Sequence, residues 1–151
     1  MKPLLQAVEI ARPADLVAAQ FADVAHHERA RVHRNASFEL LSDGGDVLEY
    51  NQRAPIGRRV LTQRFRLDRR DPKHLVNTVL AGPLTGATLT FDIEAIDADS
   101  ARVTATLDLG PSPVARWFGL LLRRRASRDL ARALQEDRDD LESGRYPSIA
   151  G

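Results

Sequence analysis

The stretch SPVARWFGLLLRRRASRDLARALQEDRDDLESG, Ser112 to Gly144, is the segment from which the fold can be worked out. Ser112 is a favoured N-cap, Pro113 stands at the first helical position where a missing N–H costs nothing, and Gly144 supplies a left-handed residue past the end. One helix from Ser112 to Gly144 is predicted. At about 1.5 Å per residue it extends over about 45 Å, longer than one face of a small domain needs, so it has to lie diagonally across something broad. Its apolar positions do not form a single stripe. Val114, Trp117, Phe118, Leu121 and Leu122 share a face in the first half, and Ala126, Leu130, Ala133, Leu134 and Leu141 share another, rotated by roughly 150° at about 100° per residue. The change falls at Arg123, Arg124 and Arg125. Either the helix bends between Leu122 and Ala126, or its first half roofs a cavity with Trp117 and Phe118 while its second half packs on a sheet.

What precedes the helix is strand-rich. Leu4, Gln6, Val8 and Ile10 alternate with Leu5, Ala7, Glu9 and Ala11 as in a first strand. Pro13 opens a helix carrying Leu16, Val17, Phe21 and Val24, and a second helical turn follows to about His33. From Ser37 the period becomes two. Phe38 and Leu40 lead into the turn Asp43-Gly44-Gly45 and return along Val47 to Gln52. Leu61, Gln63, Phe65 and Leu67 share one face of the next strand, and His74 to Ala81 makes another. Gly82 to Gly86 reverses the chain before Ala87, Leu89, Phe91, Ile93 and Ala95, and Asp97 to Ser100 turns it again before Val103, Ala105, Leu107 and Leu109. The expected architecture is α+β: a curved seven-stranded antiparallel sheet around a long C-terminal helix, with two short helices between strands 1 and 2. Phe38, Leu61, Phe65, Leu89, Phe91, Val103 and Leu107 are expected to face the helix. So many apolar strand faces exceed what one helix can close tightly, and a cavity between sheet and helix follows.

The chain of 151 residues, 43% hydrophobic, fits a single domain over residues 1–144, with 145–151 as a tail. Its 22 basic and 21 acidic residues leave a net charge of +1, so no global attraction to nucleic acid is built in. The absence of cysteine removes disulfides, zinc–thiolate sites, iron–sulfur clusters and thiol catalysis. No signal peptide and no transmembrane segment is legible, and a cytoplasmic protein is expected by default.

The run VEIARPADLVAAQFADV, Val8 to Val24, is similar to the first strand and helix start of the Bet v 1-like, or START/SRPBCC, helix-grip superfamily, which includes polyketide cyclases and lipid-transfer proteins. LARALQEDRDDLESG, Leu130 to Gly144, resembles the C-terminal helix of that superfamily. These are patterns of apolar spacing without a catalytic signature, and they extend over nearly the whole chain. The resemblance implies an apolar ligand pocket and does not choose between carrier and enzyme.

Polar residues on the inner sheet face bear most on chemistry, because a buried amide or hydroxyl needs a partner and a ligand can be that partner. Tyr50, Gln63 and Asn77 share faces with apolar neighbours; they either satisfy one another and the backbone or orient a ligand. The candidate ligand-binding set is Phe38, Tyr50, Gln63, Phe65, Asn77, Leu89, Phe91, Trp117, Phe118 and Leu121. His26, His27, Glu28 and His33 form the histidine cluster. His27 and His33 are neither three nor four apart, so no metal is expected, and the segment reads as a solvated connection near a cavity mouth. No cofactor is expected. Arg123, Arg124, Arg125, Arg128 and Arg132 read as a solvated basic face, with pairs Arg125–Asp129 and Arg132–Glu136. No Asp, Glu or Lys falls on the inward strand positions. That favours binding or transport of a small apolar or amphipathic ligand (aromatic, polyketide-like or lipid) over the alternative, a cyclase or aromatase using the same cavity.

Overall fold

In the computed structural model residues 2–56, 58–110 and 113–147 are described, apart from the side chains of 56, 113–115 and 118. The elements in order are β1 (Leu4–Ile10), α1 (Ala14–Ala22), α2 (Val24–Ala30), β2 (Ser37–Asp43), β3 (Val47–Ile56), β4 (Arg59–Asp68), β5 (His74–Ala81), β6 (Thr88–Asp97), β7 (Ser100–Asp108) and α3 (Pro113–Glu142). The strands form one antiparallel sheet in the order β1-β7-β6-β5-β4-β3-β2, so β2 to β7 meander and β1 returns to pair with β7. Bulges interrupt the register between Leu40 and Ser42 and between Arg64 and Phe65, and each adds local twist to a sheet that must curl.

The alternation read from the sequence is the alternation of burial. Phe65, Leu67, Leu75, Val79, Ile93, Val103 and Ala105 are buried, and Phe38, Leu89, Phe91 and Leu107 pack against them. Leu61 is only half-buried and Ala95 is exposed, because the inner face runs out from under the helices at those strand ends. Against this face lie Val17 and Phe21 of α1 and Leu130, Leu134 and Leu141 of α3. Each fully buried leucine adds about 1.5–3 kcal/mol of transfer free energy.

Helix α3 runs alongside β1 in the same sense. Arg123 Nη1 donates to the Lys2 carbonyl (2.6 Å), Gln6 Nε2 to Ser127 Oγ (2.8 Å), and the Ala11 N–H to Glu142 Oε2 (2.8 Å). The lengths agree: a helix from Arg123 to Glu142 spans about 28 Å and a strand from Lys2 to Ala11 about 30 Å.

Three expectations for α3 are corrected. Its break is at Gly119, whose φ of 33° and ψ of −115° are not helical, and not between Leu122 and Ala126. Trp117 is 83% exposed and Leu121 74% exposed, so neither roofs the cavity. The side of α3 that faces the cavity belongs instead to the second half, from Arg125 to Asp137. The proposed cap at Ser112 lies outside the described residues, as does the Phe118 side chain. Gly144, with φ of 80°, follows the helix as expected. Tyr146, assigned to a tail, is half-buried: its ring packs edge-on against His26 with centroids 4.7 Å apart, and its hydroxyl donates to Asp23 Oδ2 (3.1 Å).

Candidate functional site

Between the sheet and the helices α2 and α3 lies a cavity of about 480 Å³. Its floor is apolar and aromatic: Phe21, Phe38, Tyr50, Phe65, Leu89 and Phe91. Tyr50 stacks on Phe65 with centroids 5.2 Å apart and planes 6° from parallel, while Phe21 meets Phe91 edge-on at 5.0 Å. Beside this floor the lining is polar, with buried His27 and Asp137 and half-buried His33 and Glu136, both histidines within ring contact of Phe38, and exposed Arg125, Asp129 and Arg132 complete it. Of the sequence candidates the cavity therefore brings together Phe38, Tyr50, Phe65, Asn77, Leu89 and Phe91. Gln63, Trp117 and Leu121 do not line it.

Gln63 is withdrawn from the cavity by the turn after β5. The segment from Gly82 to Gly86 folds over it, and Gln63 Oε1 accepts the Leu84 N–H (3.2 Å). Tyr50 and Asn77 satisfy each other: the phenol donates to Asn77 Oδ1 (2.8 Å) and Asn77 Nδ2 donates to the Leu89 carbonyl (3.2 Å). Burial pushes the Tyr50 phenol far above its ordinary range, so it remains a neutral donor. This pair gives the apolar floor one internally satisfied polar point.

The histidines contradict the sequence expectation of a solvated connection. His26 is 1% exposed and His27 is also buried. Asp23 caps α2 by accepting the His26 N–H (2.9 Å), and Arg31, left-handed at φ 48°, ends the helix and turns the chain so that His33 stacks on His27 with centroids 5.4 Å apart. Across from them stands the acidic run of α3. Asp140 Oδ2 meets His26 Nε2 at 2.8 Å, Asp137 Oδ1 meets His27 Nε2 at 2.9 Å, and Glu136 Oε1 meets His33 Nδ1 at 3.2 Å. Gln20 Nε2 bridges the two aspartates, donating to Asp137 Oδ1 (3.0 Å) and Asp140 Oδ2 (3.1 Å). The acidic residues that suit a helix C-terminus poorly are thus the hydrogen-bond partners of the histidines of α2 and of the turn after it. Arg125 does pair with Asp129 (3.8 Å), whereas Glu136, expected to pair with Arg132, instead takes His33 and the Arg34 N–H (2.9 Å).

The electrostatics follow from this packing. Burial alone would lower the His27 pKa; the hydrogen bond and charge of Asp137, the Asp23 carbonyl and the charge of Asp140 outweigh it and raise the pKa above the ordinary 6.5. Burial alone would raise that of Asp137; His33, His27 and Gln20 together hold it below the ordinary carboxylate value. The cavity wall therefore carries titratable groups that the strand alternation could not reveal, since they come from α2, the turn after it and α3. His27, His33 and Asp137 each offer one ligand atom, all within 4.8 Å of one another, so these three could hold a metal ion.

Among the described residues no helix is long and apolar enough to cross a membrane. Comparison with known folds places the chain among helix-grip proteins. A protein from Thermus thermophilus, TTHA0849, superposes with a TM-score of 0.80 at 12% identity, over 93% of this chain and 97% of that one. The Zhui aromatase/cyclase from Streptomyces sp. R1128 gives 0.73 at 21% identity, over 95% and 98%. A START superfamily protein from Mycobacterium smegmatis gives 0.74 at 16% identity, over 93% and 99%. At these identities the likeness is one of fold. No functionally curated protein is similar enough in sequence to be matched. A family model described as polyketide cyclase/dehydrase and lipid transport matches residues 4–142, and to that family the chain belongs.

Proposed function

We propose that the protein binds one small amphipathic molecule in the cavity between sheet and α3, its apolar part on the aromatic floor and its polar end toward His27, His33 and Asp137. The observation that carries this reading is the cavity itself: about 480 Å³, within the usual range of ligand pockets, lined by aromatic side chains and, next to Phe38, by the polar group of His27, His33 and Asp137. A flat aromatic or a partly oxygenated chain suits such a lining better than a fully saturated one, because the stacked Tyr50 and Phe65 rings offer a planar face.

Transport of the ligand unchanged is the first form of the proposal. The second is a cyclase-like reaction in the same cavity, and one observation favours it: the half-buried His33 lines the wall with Nδ1 held by Glu136 and with Nε2, among the described residues, in no polar contact shorter than the 3.5 Å one to Asp137, which is the kind of oriented imidazole that general acid catalysis at a carbonyl uses. Screening aromatic polyketides, fatty acids and quinones by thermal shift tests the common part. A ligand at 100 times its dissociation constant should stabilise the fold by about 2.7 kcal/mol, a clear shift. Each binder is then followed by mass over time. An unchanged mass supports the carrier form, turnover that disappears in His33→Gln supports the cyclase form, and the absence of any binder overturns both.

A further inference from the structure

The hydrogen bonds around His27 place a positive charge between its ring and Asp137. The Asp23 carbonyl can only accept, so His27 Nδ1, 2.8 Å away, carries the hydrogen. In a neutral imidazole Nε2 is then a bare lone pair, and it faces a carboxylate oxygen, Asp137 Oδ1, at 2.9 Å. Two lone pairs at that distance repel. The space between them has to hold positive charge, either a second proton or a metal ion.

His33 repeats the arrangement. Its Nδ1 faces Glu136 Oε1 at 3.2 Å, and the other oxygen of Glu136 is fixed by the Arg34 N–H at 2.9 Å. That leaves His33 Nε2 directed at Asp137 Oδ2, 3.5 Å away. Both imidazoles thus give their Nδ1 hydrogen to an oxygen outside the cluster and turn Nε2 toward one shared carboxylate. This is the support that metal-binding histidines usually receive. Gln20 Nε2, donating to Asp137 Oδ1, orients the third group.

We propose that His27 Nε2, His33 Nε2 and the Asp137 carboxylate bind one divalent first-row metal ion, such as zinc, cobalt or iron(II), in the cavity wall. Two histidines and one carboxylate are a ligand set that such ions take with coordination positions to spare. All three residues line the cavity, so the spare positions face the space in which an organic ligand would sit. In a tetrahedral site the ligand atoms stand about 3.3 Å apart, from metal–ligand distances of about 2.0–2.2 Å. Those present lie within 4.8 Å, so rotations of the imidazoles and the carboxylate suffice to close the site. Two neutral imidazoles and one carboxylate offset one of the two metal charges, and Glu136, 3.2 Å from His33 Nδ1, stands beside the site to offset the other.

The test needs no organic ligand, so it stands or falls separately from the binding function. Protein stripped with a chelator is titrated with cobalt(II) and followed by visible absorption and calorimetry. One equivalent should bind with the d–d bands of a nitrogen–oxygen site, and zinc(II) should displace it. His33→Ala, at the half-buried edge of the cluster, should abolish the bands while the circular dichroism of the fold is kept. Glu136→Gln should weaken binding by about 10–100-fold, the usual effect of altering a residue that supports a ligand. His74→Ala is the control, because His74 is exposed and pairs with Asp92 on the sheet. An intact protein that gives no cobalt spectrum, or one whose spectrum and stoichiometry survive His33→Ala, overturns the proposal.

Discussion

The Tyr50 hydroxyl and the Asn77 amide show how a single polar contact is settled in an apolar floor. Replacing Tyr50 by Phe leaves Asn77 Oδ1 without its donor in a buried site, which should cost about 1–3 kcal/mol. Urea denaturation should report this as a lower midpoint with an unchanged slope. Asp137 is the residue that sequence reading most nearly reached and missed. It lies between Leu134 and Leu141, and Leu130, Leu134, Asp137 and Leu141 are spaced four, three and four apart, one stripe of the helix. An aspartate within such a stripe is buried and has to have a partner. That signal was present, but its partner, His27, lies 110 residues earlier, and a pairing at that separation cannot be read from local spacing. His33 was hidden for a different reason. The left-handed Arg31 breaks the helical count between the two histidines, so a rule based on positions three or four apart does not apply to them.

At the scale of elements, the seven strands and both short helices were legible because period-two alternation and turn residues are local properties. The break in α3 was legible only in part. The change of apolar face was visible, but what it signified was not: Trp117, Leu120 and Leu121 are exposed, and the helix breaks at Gly119, where the absence of a side chain permits a positive φ. Gln63 shows how an element can be read correctly and a site residue on it wrongly. Its strand face is right, but the turn after β5 claims its amide oxygen. Gly82 makes that turn possible. It has φ of 124°, and a Cβ there would stand 2.9 Å from Gln63 Cγ and 3.1 Å from the Thr62 carbonyl oxygen. Gly82→Ala should therefore destabilise by more than about 1 kcal/mol, since the backbone is strained and one close neighbour is main chain. Thermal unfolding checks this. An alanine variant as stable as the parent would mean that the turn can move off Gln63.

Over the whole molecule, the two far ends of the fold are fastened to each other at Glu142. Its carboxylate accepts the Ala11 N–H and Arg138 Nε, while its carbonyl takes Arg12 Nη2 (2.6 Å). The Ala11 N–H, ahead of the charges of Arg138 and Arg12, holds the Glu142 carboxyl below the ordinary 4.5. A lowered folded value means stability that is present above pH 4.5 and lost as the pH falls through the lowered value. Glu142 is half-buried at the protein surface, so screening keeps the contribution below about 1 kcal/mol, and Glu142→Gln should flatten acid titrations of stability by that amount. The parallel run of β1 beside α3 also governs the order in which the chain can fold. Leu4 pairs with Leu107 and Lys2 meets Arg123, so the first strand made is among the last satisfied. During synthesis β1 presents an unpaired edge until its partner strand has emerged. The mean sequence separation of its contacts is high, and such topologies fold slowly. The kinetic hazard of this protein is therefore at its N-terminal strand: an edge left waiting is the place where a second chain can pair, and dilution or a chaperone during refolding should raise the yield more than any added ligand.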